Sequence, residues 1–316
     1  MLFLFLPVMG KGAVMEQDVY AVVDIGSNSL RFMRGKRDRD GQWHFSKKEL
    51  ATTRLGKDVS RTGHLSREGI EASLEAMQQW NDMYPDLCVC AVATSAVREA
   101  SDGQAFLAEV RARFGWHCRI LSGLEEASFS YRGAAGAALP GMIVAVLDIG
   151  GGSSEMALGK EGRSLWSHSY PMGAVRFCHD VTTASACDAL ERHCLNQWLS
   201  IPAVPDRLLG VGGTLTSLAA MELGLDPYDP DRVEGTVISR ACLSDWIDRL
   251  EQMTPEERRH IKGLQPRRSD IILPGLLIAR SCLSHYGIPE IQISEKDLLE
   301  GIFYSQAFQD AAWRNR

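Results

Sequence analysis

Apolar and polar positions alternate in short blocks from Val19 onward, and the first block repeats later in the chain. VYAVVDIG reads as a strand, Ser27–Ser29 as a tight turn and LRFMRG as a second strand, with a third expected between Trp43 and Leu50. Ser66 then offers an N-cap to a helix whose Ile70, Leu74, Met77 and Trp80 recur at helical spacing. LCVCAVATS reads as a strand, the stretch from Ser101 as a helix with Phe106, Val110 and Phe114 on one stripe, and CRILS as a strand. A helix rich in small residues is expected over 127–138, after Gly123-Leu124-Glu125-Glu126. The series then restarts: MIVAVLDIG, GGSSEMALG and a strand near SLWSHSYPMG rebuild the three-strand unit. A helix over 183–199, the strand RLLGV, a helix over 214–222, helices from Ser239, Thr254 and Arg268, the strand EIQIS and a helix from Glu295 complete the pattern. Two unequal copies of a βββαβα-like unit, the second with a helical insertion, predict an α/β fold.

Composition narrows the function without naming it. With 316 residues, 45% hydrophobic and 23% charged, the chain has material for one large domain or two ordinary ones. A net charge of −6 argues against a general nucleic-acid binder, but an anionic small substrate needs only a local cluster of arginines and a divalent cation. The eight cysteines form no CxxC pair and mostly sit in apolar segments, as expected of reduced thiols in a cytoplasmic protein. Cys178, His179, Cys187, His193 and Cys194 fit no zinc module by spacing. The opening MLFLFLPVMGKGAVM lacks a basic n-region and is too short to span a bilayer; residues 1–15 are expected to be a disordered or mis-assigned extension, with Met15 as the true start and no membrane partner.

The repeated hairpin suggests its own chemistry. A turn of Gly150, Gly151 and Gly152 lets backbone approach a ligand closely and adopt positive φ, and consecutive N–H groups form an anion-binding concavity. Ser153 and Ser154 in the second copy, and Gly26, Ser27, Asn28 and Ser29 in the first, add short groups suited to phosphate oxygens. Asp24 and Asp148 end their strands where a carboxylate can hold hydrated magnesium or a water. Both DIG turns lead into strands and lack a following lysine, unlike a P-loop or a Rossmann turn. GVGGTLTS does enter a helix, and its Gly212, Gly213 and Thr214 offer a third anion site. Three such turns predict a cleft that grips phosphates from both sides.

These segments resemble the ASKHA superfamily, and more closely the exopolyphosphatase/guanosine pentaphosphate phosphatase (Ppx/GppA) family. DIGSNSLR, RLG at 54–56, TGHLS, ATSAVREA, SGLEEASFSY, DIGGGSSE, PMGAVRF, GVGGTLTSLA, RRSDIILPG and ISEKDLLEGIF follow the family's order from Val19 to the end. The resemblance implies two ribonuclease H-like, actin-like ATPase domains with a cleft between them, over 16–128 and 129–316, the last helix packing back on the first domain. It implies hydrolysis of a terminal phosphoanhydride of polyphosphate or guanosine pentaphosphate (pppGpp), magnesium or another divalent cation as cofactor, and a homodimer. Glu126 maps onto the family's catalytic carboxylate, Asp148 and Glu155 onto carboxylates that bind the metal or orient water, and Arg98 onto its arginine. Arg31, Arg54, Arg176 and Arg268 are further candidates to counter substrate charge. Plain structural readings stand beside these: Glu125 or Glu126 can merely favour a helix dipole, Arg98 can pair with Glu99 in solvent, and Asp24 can cap a turn. An alarmone- or ATP-binding sensor without catalysis and a sugar kinase are the competing functions.

Overall fold

Two mixed sheets organise the chain, as seen in a computed structural model that describes residues 19–136 and 141–305. The extension at 1–15, the last positions of the helix expected over 127–138 and the chain beyond 305 lie outside the described residues. The first half runs β1 (Val19–Ile25), β2 (Ser29–Arg37), β3 (Trp43–Phe45), β4 (Glu49–Thr52), α1 (Val59–Thr62), α2 (Arg67–Met83), β5 (Cys88–Ala93), α3 (Ser95–Glu99), α4 (Gly103–Phe114) and β6 (His117–Ile120). After α5 (Gly123–Ala135) come β7 (Ile143–Ile149), β8 (Ser154–Lys160), β9 (Arg163–Tyr170), α6 (Ala184–Leu195), β10 (Arg207–Val211) and α7 (Gly213–Glu222). The chain continues through α8 (Pro230–Val233), β11 (Val237–Ser239), α9 (Arg240–Glu251), α10 (Pro255–Arg258), α11 (Ile272–Tyr286), β12 (Glu290–Ile293) and α12 (Leu298–Ser305).

The repeat read from the sequence is a repeat of topology. In the first sheet β2, β1, β5 and β6 lie in that order, β1–β2 antiparallel and β1–β5–β6 parallel. In the second, β8, β7, β10 and β12 follow the same order and sense. Both hairpins turn the same way: Gly26 N–H donates to Ser29 O at 3.1 Å, and Gly150 N–H to Ser153 O at 3.0 Å. Asp24 is therefore paired across the ladder with Arg31, and Asp148 with Glu155.

Several expected boundaries shift for local reasons. The third strand of the first copy is two pieces, because Ser46 exchanges hydrogen bonds with the Arg34 backbone and breaks the ladder between β3 and β4. The helix expected from Arg268 begins instead as a 3₁₀ turn over Pro266–Arg268, with α11 starting at Ile272. The helix expected over 183–199 ends at Leu195, and the short elements α1, α3, α8 and β11 carry too few residues to show a period. Residue 128, the expected domain boundary, falls inside α5, whose Ala127, Tyr131 and Ala135 pack on Val144, Val146 and Ala157 of the second sheet.

α12 returns across the molecule. Its Leu298, Leu299, Ile302 and Phe303 cover Val22, Met33, Cys90 and Val92 on one face of the first sheet. It also crosses α5 with backbone against backbone: a Cβ on Gly133 would stand 1.9 Å from Asp297 O, and one on Gly301 1.8 Å from Phe129 O. Gly301→Ala is expected to force the helices apart and lower stability by about 1–3 kcal/mol, the usual range for overpacking, measured by urea unfolding.

Candidate active site

Three bends converge on one cavity of about 250 Å³. Gly26 to Ser29, Gly150 to Ser153 and Gly212 to Thr214 all line it, together with Asp24, Asp148 and Glu126. The bends touch: a Cβ on Gly151 would come within 2.9 Å of Ser27 Cβ, and one on Gly152 within 2.4 Å of Ser95 Oγ. Close approach, and not positive φ, is what demands glycine here, since positive φ is absent at Gly150, Gly151 and Gly152. Gly212 differs. Its φ of +84° suits glycine, and a Cβ there would stand 2.5 Å from Asp148 Oδ1.

The two adjacent glutamates at the start of α5 have separate roles. Ser122 caps the helix in a capping box with Glu125, and Arg119 also pairs with Glu125. Glu126 is left to reach the cavity, buried, with Oε2 accepting from Arg98 Nη1 at 3.0 Å. Arg98 is steadied by Leu121 O at 2.8 Å. Burial drives the Glu126 pKa well above the ordinary carboxylate range, and the Glu155 charge adds to the rise against the pull of Arg98.

Asp148 Oδ2 accepts from Ser130 Oγ at 2.8 Å, and its pKa is pushed up to about 6, chiefly by burial. Glu155 is displaced to about 7 by burial and by Asp148. It lies behind the lining, with Ser169 Oγ donating to its Oε1 at 2.6 Å. Ser154 does not belong to the phosphate-binding set expected for it. It occupies the strand position of Leu30 in the other copy, faces the interior, and donates its hydroxyl to Met172 O at 2.6 Å.

The cationic side of the cavity was only partly legible. Arg31 clasps Asp24 Oδ2 through Nε at 2.9 Å and Nη2 at 2.7 Å, and also holds Asp297. Lys48 lines the cavity and pairs with Glu300 at 3.0 Å and Asp297 at 3.3 Å. Arg268 lies over Gly213 without a carboxylate partner among the described residues; its guanidinium Nε donates to Gln265 Oε1 at 3.4 Å. Burial and the neighbouring Arg31 press its pKa down to about 10. Arg54 and Arg176 point elsewhere, bound to Asp270 and Glu99 across the rim. Sequence reasoning missed Lys48, Thr94, Ser95, Tyr228, Gln265 and Asp297. Only Thr94, Ser95 and Asp297, inside ATSAVREA and ISEKDLLEGIF, lay in segments that had drawn notice.

Among the described residues no three His, Cys, Asp or Glu side chains converge as a metal cage. Magnesium needs less, since it retains waters and takes one or two carboxylates together with substrate phosphates. Asp24 Oδ1 is buried and unpartnered beside this cavity, and Asp148 shares the lining, so the donor set fits a cation carried in by the substrate.

A buried carboxylate whose folded pKa exceeds its unfolded one binds extra protons when folded, so stability falls as pH rises through that interval. With Asp148 at about 6 and Glu155 at about 7, the melting temperature in chelator is expected to rise by about 2–4 °C on going from pH 8 to pH 6. Glu155→Gln should flatten that slope in thermal melts.

The model of the Ppx/GppA phosphatase family matches residues 36–309. Exopolyphosphatase 2 of Mycobacterium tuberculosis is 30% identical, over 91% of this chain and 98% of its own. A solved Aquifex aeolicus PPX-GPPA enzyme is 29% identical with a TM-score of 0.78, covering 91% of this chain and 99% of that one. An exopolyphosphatase from Cytophaga hutchinsonii, 23% identical with a TM-score of 0.80 over 92% and 97% of the two chains, shares the fold. No helix among the described residues is long and apolar enough to cross a membrane.

Proposed function

Because the chain belongs to the Ppx/GppA phosphatase family, we propose that it is an exopolyphosphatase that hydrolyses the terminal phosphoanhydride of inorganic polyphosphate. The observation that carries the proposal is Arg268, a partly buried cation that lines the same cavity as the three bends with no carboxylate among the described residues to balance it. Such a charge is costly unless a ligand supplies the counter-charge. In this reading the two sheets belong to two actin-like domains, and the cavity is the cleft between them.

The reaction needs one water, one base and a held phosphate chain. Glu126 takes a proton from the water as its oxygen bonds to the terminal phosphorus. The bridging P–O bond breaks, its electron pair stays on the shortened chain, and orthophosphate is the other product. Arg98 holds Glu126 in place, while Arg31 and Arg268 meet the non-bridging oxygens and the charge that spreads over them in the transition state. Backbone N–H groups of the glycine bends add uncharged donors. Asp148, with Asp24 at the cavity and Glu155 behind, would hold a divalent cation, which supplies neutralisation of phosphate oxygens. The cavity of about 250 Å³ falls below the usual range for drug-sized ligands, which suits an inorganic chain end better than a whole nucleotide.

Orthophosphate release from tripolyphosphate, longer polyphosphate and guanosine pentaphosphate, each with magnesium, tests the reading. Glu126→Gln should lower kcat by about 10²–10⁴-fold while leaving binding of tripolyphosphate, measured by calorimetry, within about threefold. Wild-type turnover in the Gln variant would remove Glu126 from the mechanism. Arg268→Met should instead weaken tripolyphosphate binding by about 10-fold or more, as loss of a charge-assisted contact does.

A further inference from the structure

Beside the cleft lies a second, smaller cavity. Ser27, Ser95, Gly151 and Gly152 line both, so the partition between them is made of two bends and the first residue of α3. It is thin and tightly packed: Gly152 has no room for a Cβ against Ser95 Oγ, nor Gly151 against Ser27. On its outer side Arg176 donates to Glu99 at 2.8 and 2.6 Å, and its Nε donates to Gly152 O at 2.8 Å. Ser95 Oγ donates to Glu99 Oε1 at 2.7 Å. One ion pair, with Glu99 from the first half and Arg176 from the second, thus ties down both faces of the partition. α3 serves both cavities, since Arg98, next to Glu99, holds Glu126.

Cleavage at the chain end raises a problem of exit. In the reading above the terminal phosphate is the one beside Glu126, so after hydrolysis orthophosphate lies beyond the end of the shortened chain. Either the chain leaves first, or orthophosphate leaves by another route. We propose that orthophosphate leaves through the Ser95–Gly152 partition into the second cavity, with the Glu99–Arg176 pair as the gate. The proposal rests on the exopolyphosphatase reading. When closed, the second cavity has about 10 Å³ of free space, about enough for a water, so passage requires the pair to part. The pair suits that role: the Glu99 side chain is 35% exposed and that of Arg176 20%, so water reaches it and weakens it relative to a buried pair. On opening, the Arg176 guanidinium exchanges a carboxylate for orthophosphate oxygens of similar geometry. The hydroxyls of Ser27, Ser60 and Ser95 line the same space.

Two variants outside the reacting cluster test the route in opposite directions. Glu99→Gln removes the charge of the gate. Ser60→Trp, at an exposed position of α1 that lines the second cavity, fills the exit. With enzyme in excess over tripolyphosphate, acid quench times the cleavage and a fluorescent phosphate reporter times the appearance of free orthophosphate. Cleavage should stay within about twofold of wild type in both. The delay between cleavage and release should shorten by about threefold in Glu99→Gln, and should appear or lengthen several-fold in Ser60→Trp. On long polyphosphate, Ser60→Trp should also accumulate chains of intermediate length, because each orthophosphate must wait for the chain to leave. Unchanged delay and product lengths in Ser60→Trp overturn the route, as does a loss confined to the quench signal. Absence of any quench signal in wild type defeats the exopolyphosphatase reading itself.

Discussion

The site depends on a hairpin bend that brings no side chain of its own, at Gly151 and Gly152, to its contact with the other half. Gly151 lies on Ser27 and Gly152 on Ser95 so closely that a methyl group at either glycine would have no place. That contact sets the spacing of everything else around the cavity. It brings Asp24 and Asp148, the equivalent aspartates of the two copies, to the same lining, and it faces both bends toward the first turns of α5 and α7. The rest of the fold serves to hold these bends together: rim pairs Arg54–Asp270 and Arg176–Glu99 cross from half to half, and α12 crosses α5 at Gly133 and Gly301.

Duplication explains the frame, and divergence at one register position explains the polarity. The cross-strand partner of Asp24 is Arg31, and the partner of Asp148 is Glu155. The first copy therefore neutralises its aspartate internally and places a guanidinium in the cavity. The second crowds carboxylates, and burial with mutual repulsion lifts the pKa values of Asp148 and Glu155 and of the nearby Glu126. One side of the cavity thus carries a guanidinium and the other a cluster of carboxylates. A symmetric duplicate would have provided only one of these.

What could be read from the sequence followed from how local each signal was. The DIG hairpins, the GVGGT turn and the strand–helix order are written in contiguous residues, and each stands where the pattern placed it. By pattern alone Glu125 and Glu126 could not be told apart, and only the family resemblance singled out Glu126, because the capping box that occupies Glu125 depends on α5 beginning just after Ser122. Lys48 and Asp297 were invisible as site residues, since their meeting depends on how α12 lies across the first sheet. Ser154 looked like its neighbours in a run of small polar residues, but strand alternation turned it inward. Arg176 and Arg54 were sensible candidates by charge alone, and tertiary packing gave their charges to Glu99 and Asp270.

The return of α12 has a bearing on how the protein is made. Val22, Met33, Cys90 and Val92 emerge from the ribosome early, yet the residues that cover them, Leu298 to Phe303, are translated some two hundred positions later. Through that interval the nascent chain carries an uncovered apolar sheet face, the kind of surface that chaperones hold and that otherwise drives aggregation. The first half of this molecule therefore completes its folding last, although it is synthesised first.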